Sequence, residues 1–200
     1  MPADDASRSP GARIARHRLR RLAAVVAVMA LLTAGWPLVN AAVADRQPLA
    51  DAARLTVGHG AGTSAVVTVG RGWSVLPEQS NPSQGYLLRH GPVELSILRV
   101  GLVNQRQVPH LWSGLRQILT VSSPGARLSR PVPFRTAHGL LGLRGVFTTA
   151  GKVGTATIVP GPSRRFAIVM LVLAPRGTRL GMRAAGLLIV RSLRFTAVRR

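Results

Sequence analysis

Cysteine is absent from this sequence of 200 residues. Without thiols the chain has no disulfides, no thiolate metal ligands and no cysteine nucleophile. It also has no amino-terminal cysteine that could carry a lipid. If the chain is anchored to a membrane, an apolar helix must therefore anchor it.

Acidic residues are also scarce: there are six, against 27 basic residues, for a net charge of +21. Six of the basic residues precede Leu22, which leaves 21 against four acidic residues, or +17, in the remainder. Such a charge favours anionic partners, including lipid headgroups, acidic envelope polymers, nucleic acid or an acidic protein. The arginines are scattered, so no nucleic-acid groove is expected. A coding bias explains why Lys152 is the only lysine, but it does not explain the shortage of acids.

The shortage of acids also limits catalysis. General acid–base chemistry with two carboxylates would have to use Glu78 and Glu94, and Glu94 alternates with core residues, so it is predicted to face solvent. No G-x-S-x-G motif is present, and the histidines after Leu22 occur singly, with no i, i+4 pair: His59, His90, His110 and His138. We therefore expect no catalytic site, metal or cofactor, and an uncharacterised hydrolase is the remote alternative.

One long uncharged run, Leu22 to Ala44, is the most distinctive feature that is present. A helix over this run would be about 35 Å long, enough to cross a hydrocarbon core of about 30 Å. Arginines outnumber acids in front of it, which predicts a cytoplasmic amino terminus and an extracytoplasmic bulk. The residues predicted to form the membrane anchor include Leu22, Leu31, Leu32, Trp36 and Pro37.

The same run admits a second interpretation as a cleaved signal. Ala42 and Ala44 form an A-x-A pattern just before Asp45, after a shorter apolar core, Leu22 to Ala34. Cleavage there would release a secreted protein. We favour the retained helix, which predicts a single-pass protein of the cell membrane.

Composition divides the chain into five segments. Residues 1–21 are predicted to be a disordered basic cytoplasmic tail, and residues 22–44 the transmembrane helix or signal segment. Residues 45–63 contain a glycine-rich stretch and are predicted to be a flexible linker. Residues 64–196 are predicted to be an extracytoplasmic α+β domain, followed by a basic tail over 197–200.

Within that domain, short strands between turn signals surround two amphipathic helices. Apolar and polar residues alternate from Val93 towards Val103, which predicts a hairpin strand with one buried face. The helices are predicted near Leu111 to Leu119 and over Leu180 to Leu193. Phe166 to Leu173 is apolar throughout, as in a central strand that is covered on both faces. These elements predict an antiparallel sheet with about two packing helices.

Four side chains are candidates for binding. Arg164 and Arg165 follow a Gly-Pro-Ser turn and are predicted at a hairpin tip, where their forked donors could hold phosphate or carboxylate; a solvated turn is the alternative. Trp73 and Trp112 could line an aromatic pocket, but both lie on apolar patterns and are predicted to be core residues. The glycines of residues 58–62 precede a strand, which favours a spacer over a dinucleotide loop.

The order of elements, together with Gly72-Trp73 opening a strand, the Leu111 to Leu119 helix and the closing Ser192-Leu193-Arg194-Phe195, resembles the PsbP-like α/β sandwich. Photosystem extrinsic proteins, a Ran-binding protein and mycobacterial envelope lipoproteins of the LpqN type share this fold. The chain departs from those lipoproteins because it has no cysteine to acylate. The resemblance implies a binding or accessory domain in a bacterial, actinobacterial-type envelope.

Three functions follow in order of preference. The first is a membrane-anchored extracytoplasmic domain that contacts an envelope protein without catalysis. The second is a basic domain that binds anionic lipid or envelope polymer. The third is the uncharacterised hydrolase.

Overall fold

The computed structural model describes residues 46–60, 62–102, 110–122 and 125–197. The elements of these ranges are the strands β1 (Gln47–Pro48), β2 (Ala53–Gly60), β3 (Thr63–Val69), β4 (Ser74–Val75), β5 (Gly85–His90), β6 (Val93–Gly101), β7 (Arg127–Leu128), β8 (Val132–Arg135), β9 (Leu141–Thr148), β10 (Lys152–Pro160), β11 (Phe166–Pro175) and β12 (Arg194–Ala197), the helices α1 (Leu111–Ser122) and α2 (Leu180–Arg191), and a 3-10 turn, Pro77–Gln79.

Within these ranges, no helix combines the length and the apolar character that a membrane crossing requires. The predicted anchor over residues 22–44 and the predicted cleavage motif at Ala42 and Ala44 lie outside the described residues. The chain separates into two units at Asp45, and the second unit, Arg46–Arg200, contains all the elements above.

The main sheet has nine strands in the order β1-β4-β5-β6-β11-β10-β9-β7, with β8 also paired to β9. Every pairing is antiparallel. Strand β11 lies in the middle, between β6 and β10, as its apolar sequence predicted. Ile168 and Met170 pack into one cluster with residues of α2, whereas Ala167 and Val169 pack into another beneath α1. Both faces of this strand are therefore covered.

Helix α1 is held against the sheet by its tryptophan. The indole N–H of Trp112 donates to the carbonyl of Ser129 at 3.1 Å. A Cβ atom at Gly145 of β9 would come within 2.7 Å of the Trp112 ring, so this position needs glycine to accept the ring. Both Trp112 and Trp73 are buried, which confirms their prediction as core residues.

Helix α2 covers the opposite face at close range. Gly186, Ile189 and Val190 are its buried residues. A Cβ atom at Gly186 would lie 2.7 Å from a methyl group of Val172 on β11, tighter than real contacts allow. The missing side chain thus sets how closely this helix approaches the sheet.

A second sheet of three antiparallel strands, in the order β12-β3-β2, completes the buried cluster on the α2 side. The prediction of a flexible linker over residues 45–63 is therefore wrong for its described part: β1 pairs with β4, and β2 pairs with β3. The glycines of residues 58–62 resemble a linker in composition, but they supply a register shift and a hairpin turn. Gly58 has φ +69°, which glycine adopts without strain.

The carboxyl-terminal boundary also needs a correction. Strand β12 pairs with β3 from Arg194 opposite Val66 to Ala197 opposite Thr63, so the domain extends one residue beyond its predicted end at 196. The predicted fold class is confirmed for the described residues: an α+β domain with an antiparallel sheet and two packing helices.

Candidate functional site

Arg164 and Arg165 lie in the turn between β10 and β11, as predicted, and both are exposed. Arg164 has φ +52°, so the turn depends on an unusual backbone conformation at a residue other than glycine. The carbonyl of Arg165 accepts a hydrogen bond from the N–H of Leu102 at 2.8 Å. This bond ties the arginine turn to the end of β6.

An apolar groove begins beside this turn. It has a volume of about 300 Å³ and lies between β6 and the outer side of α1. We call it the α1 groove; its lining includes Val100, Leu102, Leu111, Gly114, Ile118 and Val169. Exposed fractions at its rim are large for apolar side chains, at 43% for Leu98, 37% for Val100 and 62% for Ile118.

The groove is open because α1 does not cover the whole sheet. The buried cluster beneath this helix draws on β9, β10 and β11, through residues such as Phe147, Ile158 and Val169. Leu98 of β6 is paired with Val169 but remains exposed. The hydrogen bond of Trp112 to Ser129 holds the helix towards β9 and away from β6.

The same face of β6 becomes polar towards the start of the strand. The carboxylate of Glu94 accepts hydrogen bonds from Arg89 and from Lys152, each at 2.8 Å. Its side chain is 26% exposed, so the prediction that Glu94 simply faces solvent is wrong: β5 and β10 each supply a cation that partly covers it.

These contacts determine the ionisation of Glu94. Burial disfavours its charged form, but the hydrogen bonds and charges of Lys152 and Arg89 outweigh burial, so the pKa of Glu94 is lowered. A carboxyl group with a lowered pKa is a poor general acid near neutral pH. Glu94 therefore acts as a structural ion pair.

The other candidates for catalysis are dispersed. Glu78 is exposed in the 3-10 turn. His90 bonds through Nδ1 to the carbonyl of Gly72 at 2.7 Å, and its ring lies 5.4 Å from that of Trp73. Among the residues that the structure describes, no three His, Asp or Glu side chains are grouped as a metal site would require.

Positive charge dominates the described surface. Of the 27 basic residues, six precede Leu22 and three more lie outside the described ranges, which leaves 18 against the carboxylates of Asp51, Glu78 and Glu94. Within these ranges the ion pairs are Arg71 with Asp51 and the two pairs of Glu94. Most of the described arginines thus have no carboxylate partner.

Two of these arginines share a shallow polar depression. Arg127 and Arg176 line it together with Thr148 and Thr149, in a volume of about 370 Å³. Both guanidinium-bearing residues are exposed. The depression lies at the tip of the hairpin between β9 and β10, the segment whose sequence superficially resembles a phosphate loop.

The α1 groove was not among the candidates from sequence, although a signal for it exists. Along β6 the outward residues change from Glu94 and Ser96 to Leu98 and Val100. A strand whose outer face becomes apolar halfway along indicates a surface that something covers. The groove itself depends on where α1 packs, which the pattern of β6 does not specify.

No protein-family model matches this chain, and no curated protein matches its sequence. Two solved structures are similar to it. The Ran-binding protein Mog1p of Saccharomyces cerevisiae has a TM-score of 0.46 and 8% identity, over 72% of this chain and 96% of that one. LpqN of Mycobacterium tuberculosis, involved in cell envelope biogenesis, has a TM-score of 0.47 and 18% identity, over 72% of this chain and 91% of that one. These are the two kinds of protein, Ran-binding protein and LpqN, that the PsbP-like resemblance names.

Proposed function

We propose that this chain is a non-catalytic binding domain, held outside the cytoplasm by a membrane helix over residues 22–44, that contacts an acidic envelope protein through the α1 groove. The observation that carries the proposal is the combination at this groove of exposed apolar side chains with an arginine turn. Leu98, Val100 and Ile118 provide the apolar surface, and Arg164 and Arg165 provide the charge.

The apolar side chains favour a protein over a simple anion. Interface cores are enriched in apolar contacts, and each aliphatic side chain of this size stabilises a complex by about 1.5–3 kcal/mol when it is fully buried. Ile118 and Val100 line the groove and retain most or much of that area for a partner. A segment with apolar anchors would fill the groove between α1 and β6.

Charge favours an acidic partner. The arginine turn is joined to Leu102 at one end of the groove, and the described surface has few carboxylates to neutralise it. Complementary charge raises association rates and selects against basic competitors. We therefore expect the partner segment to carry carboxylates beside its apolar residues.

Photocrosslinking in membranes tests this proposal on the full-length chain. A photoreactive amino acid replaces Ile118 in the groove or, as a matched control, Leu188 on α2, whose exposure of 65% is close to the 62% of Ile118. We expect a discrete crosslinked protein from position 118 and not from position 188. Repeated absence of a discrete species from position 118 would contradict the proposal.

A charge reversal separates the two parts of the surface. Replacing both Arg164 and Arg165 with Glu leaves the apolar groove intact, and we expect it to reduce the crosslinking yield from position 118 with a stronger effect at low salt. If the yield is unchanged, the arginine turn does not contact the partner, and the proposed acidic character of that partner is wrong.

Binding of anionic lipid or polymer is a second candidate, which the depression of Arg127 and Arg176 favours. If charge alone drives binding, retention on vesicles of anionic lipid should fall steeply with salt. Replacing Arg127 and Arg176 with Gln should then weaken retention, whereas the groove residues should have no effect. Retention that is insensitive to salt counts against this candidate.

A further inference from the structure

A second cleft lies on the opposite face of the main sheet from the α1 groove, so it is independent of the proposed partner surface. It has a volume of about 400 Å³, within the range of small-molecule pockets. We call it the α2 cleft. Its walls are mostly apolar and include Val146 of β9, Val172 of β11, and Leu180 and Leu187 of α2.

Two polar residues also line this cleft, Thr155 of β10 and Arg183 of α2. The Thr155 hydroxyl and the Arg183 Nε atom are both buried, and neither has a hydrogen-bond partner in the described structure. The guanidinium group is fixed by another nitrogen, Nη2, which donates to the carbonyl of Pro175 at 3.0 Å. Buried donors without acceptors are costly, so two of them in one cleft require an explanation.

One kind of ligand satisfies both groups. An Arg N–H only donates, and a Thr hydroxyl can donate, so both accept the same partner, an oxygen acceptor. The charge of Arg183 favours an anionic acceptor, and the walls favour an apolar body. None of the described carboxylates can supply that acceptor, because Glu94 is bonded to Arg89 and Lys152 and the others lie elsewhere.

We propose that the α2 cleft binds a small amphipathic organic anion, a carboxylate attached to a compact apolar group. The carboxylate accepts hydrogen bonds from Arg183 Nε and the Thr155 hydroxyl. The apolar group packs against Val146, Val172 and Leu187. Exclusion of water from this contact makes the charge-assisted bonds stronger than they would be on the surface.

Photoaffinity labelling of the full-length chain in nanodiscs tests the site. The probe is trifluoromethyl-diazirinyl benzoic acid, and the matched control is the corresponding benzyl alcohol, which has the same apolar group without the charge. We expect the acid to label peptides from Leu180–Leu187 and Lys152–Thr155, and the alcohol to label them weakly. Equal labelling by acid and alcohol overturns the proposal, as does acid labelling spread evenly over the domain.

Variants separate recognition from folding. Arg183→Gln should reduce labelling by subsaturating acid about tenfold, the size expected for loss of a hydrogen bond to a charged group. Arg191→Gln, at the far end of the same helix, should leave labelling unchanged. If Arg183→Gln unfolds the protein, Thr155→Val keeps the shape of the cleft and should still reduce labelling. Full labelling of a folded Thr155→Val or Arg183→Gln chain excludes the proposed contacts.

Discussion

Replacing Thr157 with Val should make this protein more stable, although it removes a polar group from a folded core. Thr157 lies on β10 between Met170 of β11 and Arg144 of β9, and it is fully buried. Its hydroxyl has no hydrogen-bond partner in the described structure. Valine has nearly the same shape and is equally favourable in a strand. The substitution thus removes an unsatisfied group without opening a cavity.

The magnitude follows from the cost of that group. An unsatisfied buried hydroxyl costs about 1–3 kcal/mol, so we expect Thr157→Val to raise the free energy of unfolding by about 1–2 kcal/mol. For a domain of this size the melting temperature should rise by about 2–8 °C.

Thr136 provides a control of opposite sign. It is also buried, at 4% exposure, but its hydroxyl oxygen accepts the backbone N–H groups of Leu140 at 3.1 Å and His138 at 3.3 Å. Thr136→Val should therefore destabilise the protein by about 1–3 kcal/mol, because it leaves backbone donors unpaired.

Thermal unfolding of the full-length chain in detergent, followed by tryptophan fluorescence, measures both variants, because Trp73 and Trp112 are buried and report on the core. Opposite shifts are the expected result. If Thr157→Val lowers the melting temperature as Thr136→Val does, the Thr157 hydroxyl is bonded in solution and the argument from unsatisfied groups is wrong.

Three further predictions concern other parts of the chain. Glu94→Gln should destabilise the domain by about 1 kcal/mol at neutral pH, a modest value because the pairs are partly exposed. Since the folded pKa of Glu94 is below its ordinary 4.5, its ion pairs stabilise the fold above that pH and lose this effect as pH falls through the folded pKa; the gap between wild type and variant should close there in unfolding experiments. Gly186→Leu should destabilise by about 1–3 kcal/mol or prevent folding, because its side chain meets Val172, whereas Gly181→Leu, with open space around it, should do neither. Mass spectrometry of the mature protein should find an intact amino terminus; a chain that starts at Asp45 would overturn the anchored interpretation.

Much of the fold could be predicted from the sequence because burial leaves a periodic record. The alternation of Val93, Leu95 and Ile97 with polar residues predicted a hairpin strand, and all three are fully buried. The uniformly apolar β11 predicted its central position. The glycines of residues 58–62 misled the prediction, because composition alone does not distinguish a flexible spacer from a hairpin turn whose strands pair with distant partners.

The candidate sites were harder to predict. The turn of Arg164 and Arg165 was found from turn chemistry, but the groove beside it was not. That groove depends on α1 packing towards β9, which Gly145 permits by accepting the ring of Trp112. The α2 cleft joins Thr155 and Arg183, residues on separate elements whose sequence positions give no indication that they line one cavity.

The sequence by itself determined the strong positive charge, the absence of thiol chemistry, the central strand and the two amphipathic helices, because these follow from residue type and local period. Only the tertiary structure decided which apolar residues stay exposed and which polar atoms are buried without partners. Those properties depend on how closely helices approach a sheet, and contacts between residues far apart in sequence control that distance. Leu98 is exposed for this reason, although the residues of α1 and β9 that leave it uncovered are distant along the chain.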